Sequence, residues 1–146
     1  MSYCYEYPRP AVTTDAILIS TENQKQFILL IQRGIQPFKD AWALPGGFVE
    51  MEEELDVACA RELNEETGIT GIQLKQFATF GTPDRDPRGR TISIVFWAEV
   101  NYRIEPQSGD DAKNTKWFPL DNLPTLAFDH RDIIQQFIDS RLFPIR

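Results

Sequence analysis

The stretch GFVEMEEELDVACARELNEETGI, Gly47 to Ile69, decides how this chain is read. It holds seven residues and two apolar positions at set intervals: Gly47, Glu53, Arg61-Glu62-Leu63, Glu65-Glu66 and Gly68-Ile69. With residue types near about 6% each, chance delivers that pattern in a chain of this length on the order of once in ten million or less. Glu54 to Thr67 contains no Pro or Gly and is rich in Glu, Leu and Ala, which predicts a helix that stops at Gly68. At about 100° per residue, Leu55, Ala58, Cys59, Glu62 and Glu66 share one face, with Glu65 at its margin. That face is apolar in its first turns and acidic in its last.

Packing Leu55 and Cys59 inward carries Glu62 and Glu66 inward as well, and ionised carboxylates need compensation there. Arg61 can reach Glu65 at i, i+4 and Glu53 through the loop, yet one guanidinium cannot neutralise four carboxylates. Clustered hard oxygen donors suit Mg²⁺ or Mn²⁺, which bind a few carboxylates and complete their shell with water and substrate phosphate. The bland alternative is a solvated acidic helix face. Pro45-Gly46-Gly47 tips the balance, because it allows a tight turn with close approach to a ligand and brings a free carbonyl near the helix.

With this spacing in view, the segment resembles the signature box of the Nudix hydrolases, and every constrained position matches. The resemblance implies hydrolysis of a nucleoside diphosphate linked to another moiety, with divalent cations. It implies Glu62, Glu65 and Glu66 as metal-binding carboxylates, the Gly46 carbonyl as a further ligand, and Arg61 with Glu53 as the pair that fixes loop to helix. The implied fold is an α/β/α sandwich with a mixed β-sheet between helices.

Length supports one domain over 1–146, with a core over about 8–142. The net charge of −7 and pI near 4.7 argue against a nucleic-acid surface and against an anionic membrane partner, so the charge of an anionic substrate must be masked locally. No apolar run is long enough to cross a bilayer, and MSYCYEYPRP lacks a basic and an apolar leader region, so a cytoplasmic protein is expected. Two thiols, Cys4 and Cys59, fit a reducing compartment, and Cys59 reads as a small core residue rather than a nucleophile.

Ala11 to Ser20 and Phe27 to Arg33 read as strands around a polar turn Thr21 to Gln24. Ile72 to Phe80 and Thr91 to Val100 read as two more, the latter alternating Ile92, Ile94, Phe96 and Ala98. Trp117-Phe118 predicts a short strand, with Trp117 in the core, and Asp132 to Leu142 a terminal helix with Ile133, Ile134, Phe137 and Ile138 on its apolar side. Strands, helix, strands, helix suggests a mixed sheet packed between helices.

The loop Gly81 to Arg90, GTPDRDPRGR, carries three arginines among acids. Arginine forks suit phosphate, so at least one of Arg85, Arg88 and Arg90 is expected to face the substrate, against the plainer reading of a soluble turn. Pro83 lies fifteen residues beyond Gly68, a spacing similar to that of ADP-ribose-preferring Nudix enzymes, and the words DPRGR and LAFDH resemble that subgroup too. The reaction implied is ADP-ribose to AMP and ribose 5-phosphate, with NADH, nucleotide sugars, diadenosine polyphosphates and oxidised nucleoside triphosphates as rival substrates. For the general base, Glu62 competes with Asp110 or Asp111 in the loop Gln107 to Thr115. Trp42, beside the glycine turn, is a candidate pocket wall. His130 reads as a helix-start or surface residue, and Tyr3, Tyr5 and Tyr7 as a strand edge for packing or subunit contact. The rival from another class is an ADP-ribose sensor within a transcription regulator; the complete carboxylate set, and no winged-helix segment after Arg146, weigh against it. A homodimer is plausible by resemblance.

Overall fold

The computed structural model describes residues 2–101, 103–107, 109 and 112–144, without the side chains of Ala112 and Lys113; Asp110 and Asp111, the loop candidates for the general base, lie outside the described residues. In chain order its elements are β1 (Ala11–Glu22), β2 (Lys25–Arg33), β3 (Trp42–Ala43), β4 (Gly46–Phe48), α1 (Leu55–Thr67), β5 (Lys75–Phe80), β6 (Thr91–Val100), β7 (Ala112–Pro119) and α2 (His130–Ser140). β1 is central, with Thr13 to Ser20 buried without a break, as expected of a strand covered on both faces.

β6 runs parallel to β1 along Ala11 to Ser20, and β5 adds antiparallel to β6. On its other edge β1 is shared: its C-terminal end pairs with β2, while Thr13 to Asp15 pair with β4. β3 and β7 both join β2, giving a mixed seven-stranded sheet. Side chains alternate across it. Ile17, Ile19 and Val95 meet Ile133, Ile134 and Phe137 of α2 on one face, while Ala16, Leu18, Ile94 and Phe96 meet Cys59 and Leu63 of α1 on the other. Full burial of each such aliphatic or aromatic side chain contributes roughly 1.5–3 kcal/mol. The sheet between helices is the expected arrangement.

Local differences have local causes. Thr21 and Glu22 pair with Gln26 and Lys25, so the first turn shrinks to Asn23 and Gln24, both at positive φ in a tight two-residue hairpin. β5 begins at Lys75 rather than Ile72, because Gly71 at φ 75° turns the chain and Ile72 and Leu74 pack under α1 outside the ladder. Trp117-Phe118 lies near the C-terminal end of an eight-residue strand, β7, whose preceding polar residues also pair with β2. Trp117 is partly buried and donates its indole N–H to the Ile104 carbonyl. α2 starts two residues early, at His130, and is closed by Arg141 at φ 58°. Tyr3, Tyr5 and Tyr7 form no strand; they are exposed, Tyr3 stacks on Tyr5, and Arg9 sits 4.0 Å from the Tyr5 ring centre. Among the described residues no helix is long and apolar enough to cross a membrane.

α1 begins one residue inside the expected span, since Glu54 stays extended as its N-cap, and ends as read, with Gly68 at φ 74° donating its N–H to the Asn64 carbonyl. Cys59 is buried on its inner face, and burial pushes its thiol up to about 12, in keeping with a core residue.

Candidate active site

The glycine turn inserts where β4 takes β1's edge from β2. Pro45 accepts the Ala16 N–H, Gly46 lies opposite Asp15, and Val49 donates to the Val12 carbonyl. Gly46 has no room for a side chain, because a β-carbon there would collide with the Thr14 carbonyl and the Asp15 carboxyl. Over Gly47 the obstruction is the carboxyl group of Glu62. The turn therefore admits acidic groups of α1 and β1 against bare backbone.

Glu66, 7% exposed, accepts the Gly46 N–H at 2.7 Å. Burial pushes its carboxyl up to about 8; the Gly46 N–H opposes this, the charges of Glu62 and Asp15 add to it, and Arg33 opposes it. Arg61 forks onto Glu53 (2.6 and 2.9 Å), reaches Glu62 (2.8 Å) and Glu65 (3.2 Å), and donates to the Phe48 carbonyl (3.1 Å). The Arg61 hydrogen bonds hold the Glu53 carboxyl below its usual range, and Glu53 in turn accepts the Glu50 N–H, tying the loop to the helix. The same acids, Glu53 first, raise Arg61 above its ordinary value.

The arginine loop is spread over three environments. Arg85 is buried against Asp129 and Ser93. Arg88 is held by Asp86 and lies 4.9 Å from the Phe48 ring centre and 5.2 Å from that of Phe128. Arg90 is exposed and donates to the Gly81 carbonyl, drawing the two ends of the loop together. Pro83 is exposed on the loop's outer side and lines neither cavity described below. Trp42, expected as a pocket wall, lines neither; it packs edge-on against Phe118 in the α2-side core, because β3 points its side chain into the sheet face.

Two hollows meet here. One, about 420 Å³, is walled by Glu62, Glu65, Glu66 and Arg61 of α1 together with Arg33 of β2 and Arg88 of the arginine loop. The second, about 70 Å³, is lined by Thr13, Asp15, Arg85, Ser93 and His130. Gly46, Gly47, Phe48, Arg33 and Arg88 border both. A roomier hollow of about 540 Å³ near Trp97 and Leu142 offers one lysine and one glutamate, too little for charge-driven chemistry.

Three residues here escaped the reading of the sequence. Asp15 sits in β1, 6% exposed, where burial pushes its carboxyl up to about 7 while Arg85 and Ser93 pull it down and Asp129 and Glu62 push it further up. Its signal was a lone ionisable residue inside a strand buried on both faces. Arg33, at the end of β2, donates to the Pro37 carbonyl and lies 5.1 Å from the Phe128 ring centre. His130 begins a helix as expected, but it is buried rather than at the surface: its Nδ1 accepts the Leu44 N–H at 3.0 Å, which anchors the glycine turn, and burial lowers its pKa to about 4.

Among the described residues, no three acidic, His or Cys side chains stand close enough to form a ready-made ion cage. The donor set nonetheless fits a hard cation: Glu62, Glu66 and Asp15 repel one another in a buried corner, and Arg61 already answers four acids.

A family model for the NUDIX domain matches residues 9–137. This chain belongs to the Nudix family. It is 48% identical over 132 residues to an ADP-ribose pyrophosphatase of Methanocaldococcus jannaschii, covering 90% of this chain and 75% of that protein. It is 40% identical over 135 residues to the ADPR-responsive transcriptional repressor NtrR of Acinetobacter baylyi, covering 90% of this chain but about half, 54%, of the repressor. Among solved structures, the Nudix domain of Shewanella oneidensis NrtR complexed with ADP-ribose superposes with a TM-score of 0.85 at 32% identity, over 94% of this chain and 91% of that one. Nudix hydrolases use divalent metal ions, in keeping with the acidic corner around Gly46.

Proposed function

We propose that this Nudix domain is an ADP-ribose pyrophosphatase, hydrolysing ADP-ribose with water to AMP and ribose 5-phosphate in the presence of Mg²⁺ or Mn²⁺. The observation that carries the reading is one cleft walled both by the carboxylates of α1 and by Arg33 and Arg88. A diphosphate bridge has the charge to span those walls. The choice of ADP-ribose is supported by the 48% identity to a protein of that name.

Glu62, Glu65 and Glu66, with the Gly46 carbonyl, would hold the ions. When bound, such ions neutralise non-bridging phosphate oxygens and lower the pKa of water. Arg88 presents a guanidinium to the diphosphate, and the network around Arg61 holds Glu62 and Glu65 in place. Two candidates compete to take the proton from the attacking water. Glu62 lies within the cleft. Asp110 and Asp111 belong to a segment whose described residues dock on the end of α1, with Gln107 donating to the Thr67 carbonyl and Gly109 against the Glu65 carbonyl. Turnover of Glu62→Gln, Asp110→Asn and Asp111→Asn at saturating metal separates them; near-normal kcat in both loop variants eliminates the loop.

A second reading, an ADP-ribose sensor without hydrolysis, is favoured by the likeness to the NtrR repressor. The deciding experiment is a panel of ADP-ribose, NADH, nucleotide sugars, diadenosine polyphosphates and nucleoside triphosphates with Mg²⁺ or Mn²⁺, scored by phosphate released after phosphatase treatment. ADP-ribose should lead. Preference for a triphosphate overturns the substrate, and binding of ADP-ribose with no release establishes the sensor.

A further inference from the structure

The arginine loop, residues 84–90, and the LAFDH segment, residues 126–130, meet in space. Arg85 forks onto Asp129, Nε to Oδ2 at 2.8 Å and Nη2 to Oδ1 at 2.6 Å, across a separation of 44 residues. Its remaining Nη1 donates to the Ser93 hydroxyl of β6 at 2.8 Å. The Arg85 side chain is 5% exposed, so all three bonds are shielded from water.

The next residue extends the chain of contacts. Asp86 is 4% exposed and its carboxylate accepts three groups of Arg88: the backbone N–H (2.9 Å), Nε (3.1 Å) and Nη2 (2.8 Å). Arg88 is thereby held between the Phe48 and Phe128 rings, on the border of the two hollows. Within the loop itself the backbone bonds are sparse, Arg85 to Thr82 and Gly89 to Asp86, both at 3.3 Å. A turn-rich segment of this kind does not hold a long side chain in one place by its own backbone.

We propose that the Arg85–Asp129 pair is a lock that positions Arg88 at the cleft, so that Arg85 and Asp129 serve substrate binding without touching the substrate. The proposal rests on the reading that the cleft takes a diphosphate. Fixing Arg88 beforehand removes the cost of ordering a long, freely rotating side chain at the moment of binding. The attachment is well chosen. Asp129 precedes His130, which anchors the glycine turn through Leu44, so the start of α2 secures both the arginine loop and the turn that faces α1.

The test is a cycle of Arg85→Lys, Asp129→Asn and the double variant in the full chain. Arg85→Lys keeps the charge and loses the fork; Asp129→Asn keeps the shape and loses the charge. Without ligand, amide exchange across residues 81–90 should rise about tenfold in each, with α1 unchanged. For whichever panel compound the wild type cleaves best, KM should rise about tenfold with kcat within about twofold, and the double variant should be no worse than the worse single. Unchanged loop exchange, a fall in kcat at constant KM, or multiplying single effects overturns the lock. Should Asp129→Asn fail to fold, Arg85→Lys decides alone. A wild type that ignores ADP-ribose defeats the proposed substrate, while the exchange measurement still judges the lock.

Discussion

The two walls of the cleft handle charge in opposite ways. On the α1 wall four acids, Glu50, Glu53, Glu62 and Glu65, share the single guanidinium of Arg61, and Glu66 is met by one backbone N–H. On the loop wall two of the three arginines each have an acid of their own, Arg85 with Asp129 and Arg88 with Asp86, while Arg90 donates to the Gly81 carbonyl. The first wall stores unbalanced negative charge, which costs stability unless cations arrive. The second is nearly neutral, and its charges serve direction more than attraction. On the proposed reading an acidic chain could in this way bind an anion: one wall would recruit metal, and the other would fix the geometry of the phosphates.

The sharpest way to break this contrast is to remove charge from the acidic wall. Glu66→Gln should lower kcat about 10³-fold at saturating Mg²⁺, on the scale of losing a group that stabilises the transition state. The fold should survive, since a carboxyl raised to about 8 is readily replaced by a neutral amide. Steady-state kinetics beside a thermal melt checks both halves. Retained kcat would mean that Glu66 only holds the Gly46 N–H.

A second break targets space rather than charge. Gly47→Ala puts a β-carbon against the Glu62 carboxyl, the movable end of a side chain, so the fold should persist while Glu62 is displaced and kcat falls about 10²-fold. Gly46→Ala meets the fixed Thr14 carbonyl and should instead cost soluble protein. Expression yield, circular dichroism and kcat on the two variants distinguish them.

The two walls also differ in how legible they were in the sequence. The acidic wall is local: Glu53 to Glu66 lie on one helix and its leading loop, so helical spacing alone puts Arg61 beside Glu65 and Glu66 toward the turn. The loop wall is assembled from afar. Arg85 finds Asp129 and Ser93 only after β6 and α2 are packed, so no spacing rule could separate the buried Arg85 from the exposed Arg90. Trp42 shows the same limit: proximity to the glycine turn along the chain did not give the direction of its side chain, which the sheet sets. Asp15 and His130 lay hidden because sequence shows neither the depth of β1 nor the contact with Leu44. The fold itself was largely legible in its alternations, and three of its misplaced ends, those of β1, β5 and α2, lay where Asn23, Gly71 and Arg141 take left-handed conformations.

A third test reads the stored charge as a stability profile. Glu66 and Asp15, raised to about 8 and about 7, are protonated in the folded chain at pH values where the unfolded chain is ionised. Their contribution is therefore full at acid pH and is lost as pH rises toward 8. His130, lowered to about 4, works the other way and only below its ordinary value of 6.5. Between pH 6.5 and 8 the metal-free protein should lose about 2 kcal/mol of unfolding free energy, and Mg²⁺ should flatten the slope. Urea melts with and without chelator measure it. A flat metal-free profile would mean that the acidic wall is already compensated.

The smallest effect sharpens the contrast within the arginine loop itself. Arg88→Gln keeps a planar hydrogen-bonding end but loses the cation, so KM should rise about tenfold with kcat little changed. Arg90→Gln, which removes a donor to the Gly81 carbonyl at an exposed position, should shift KM by less than about twofold. Equal penalties for the two would mean that the loop acts through bulk positive charge, and added salt would then erase both. Unequal penalties that persist at high salt fit a wall whose Arg88 is held in place by Asp86 and lies against the Phe48 and Phe128 rings.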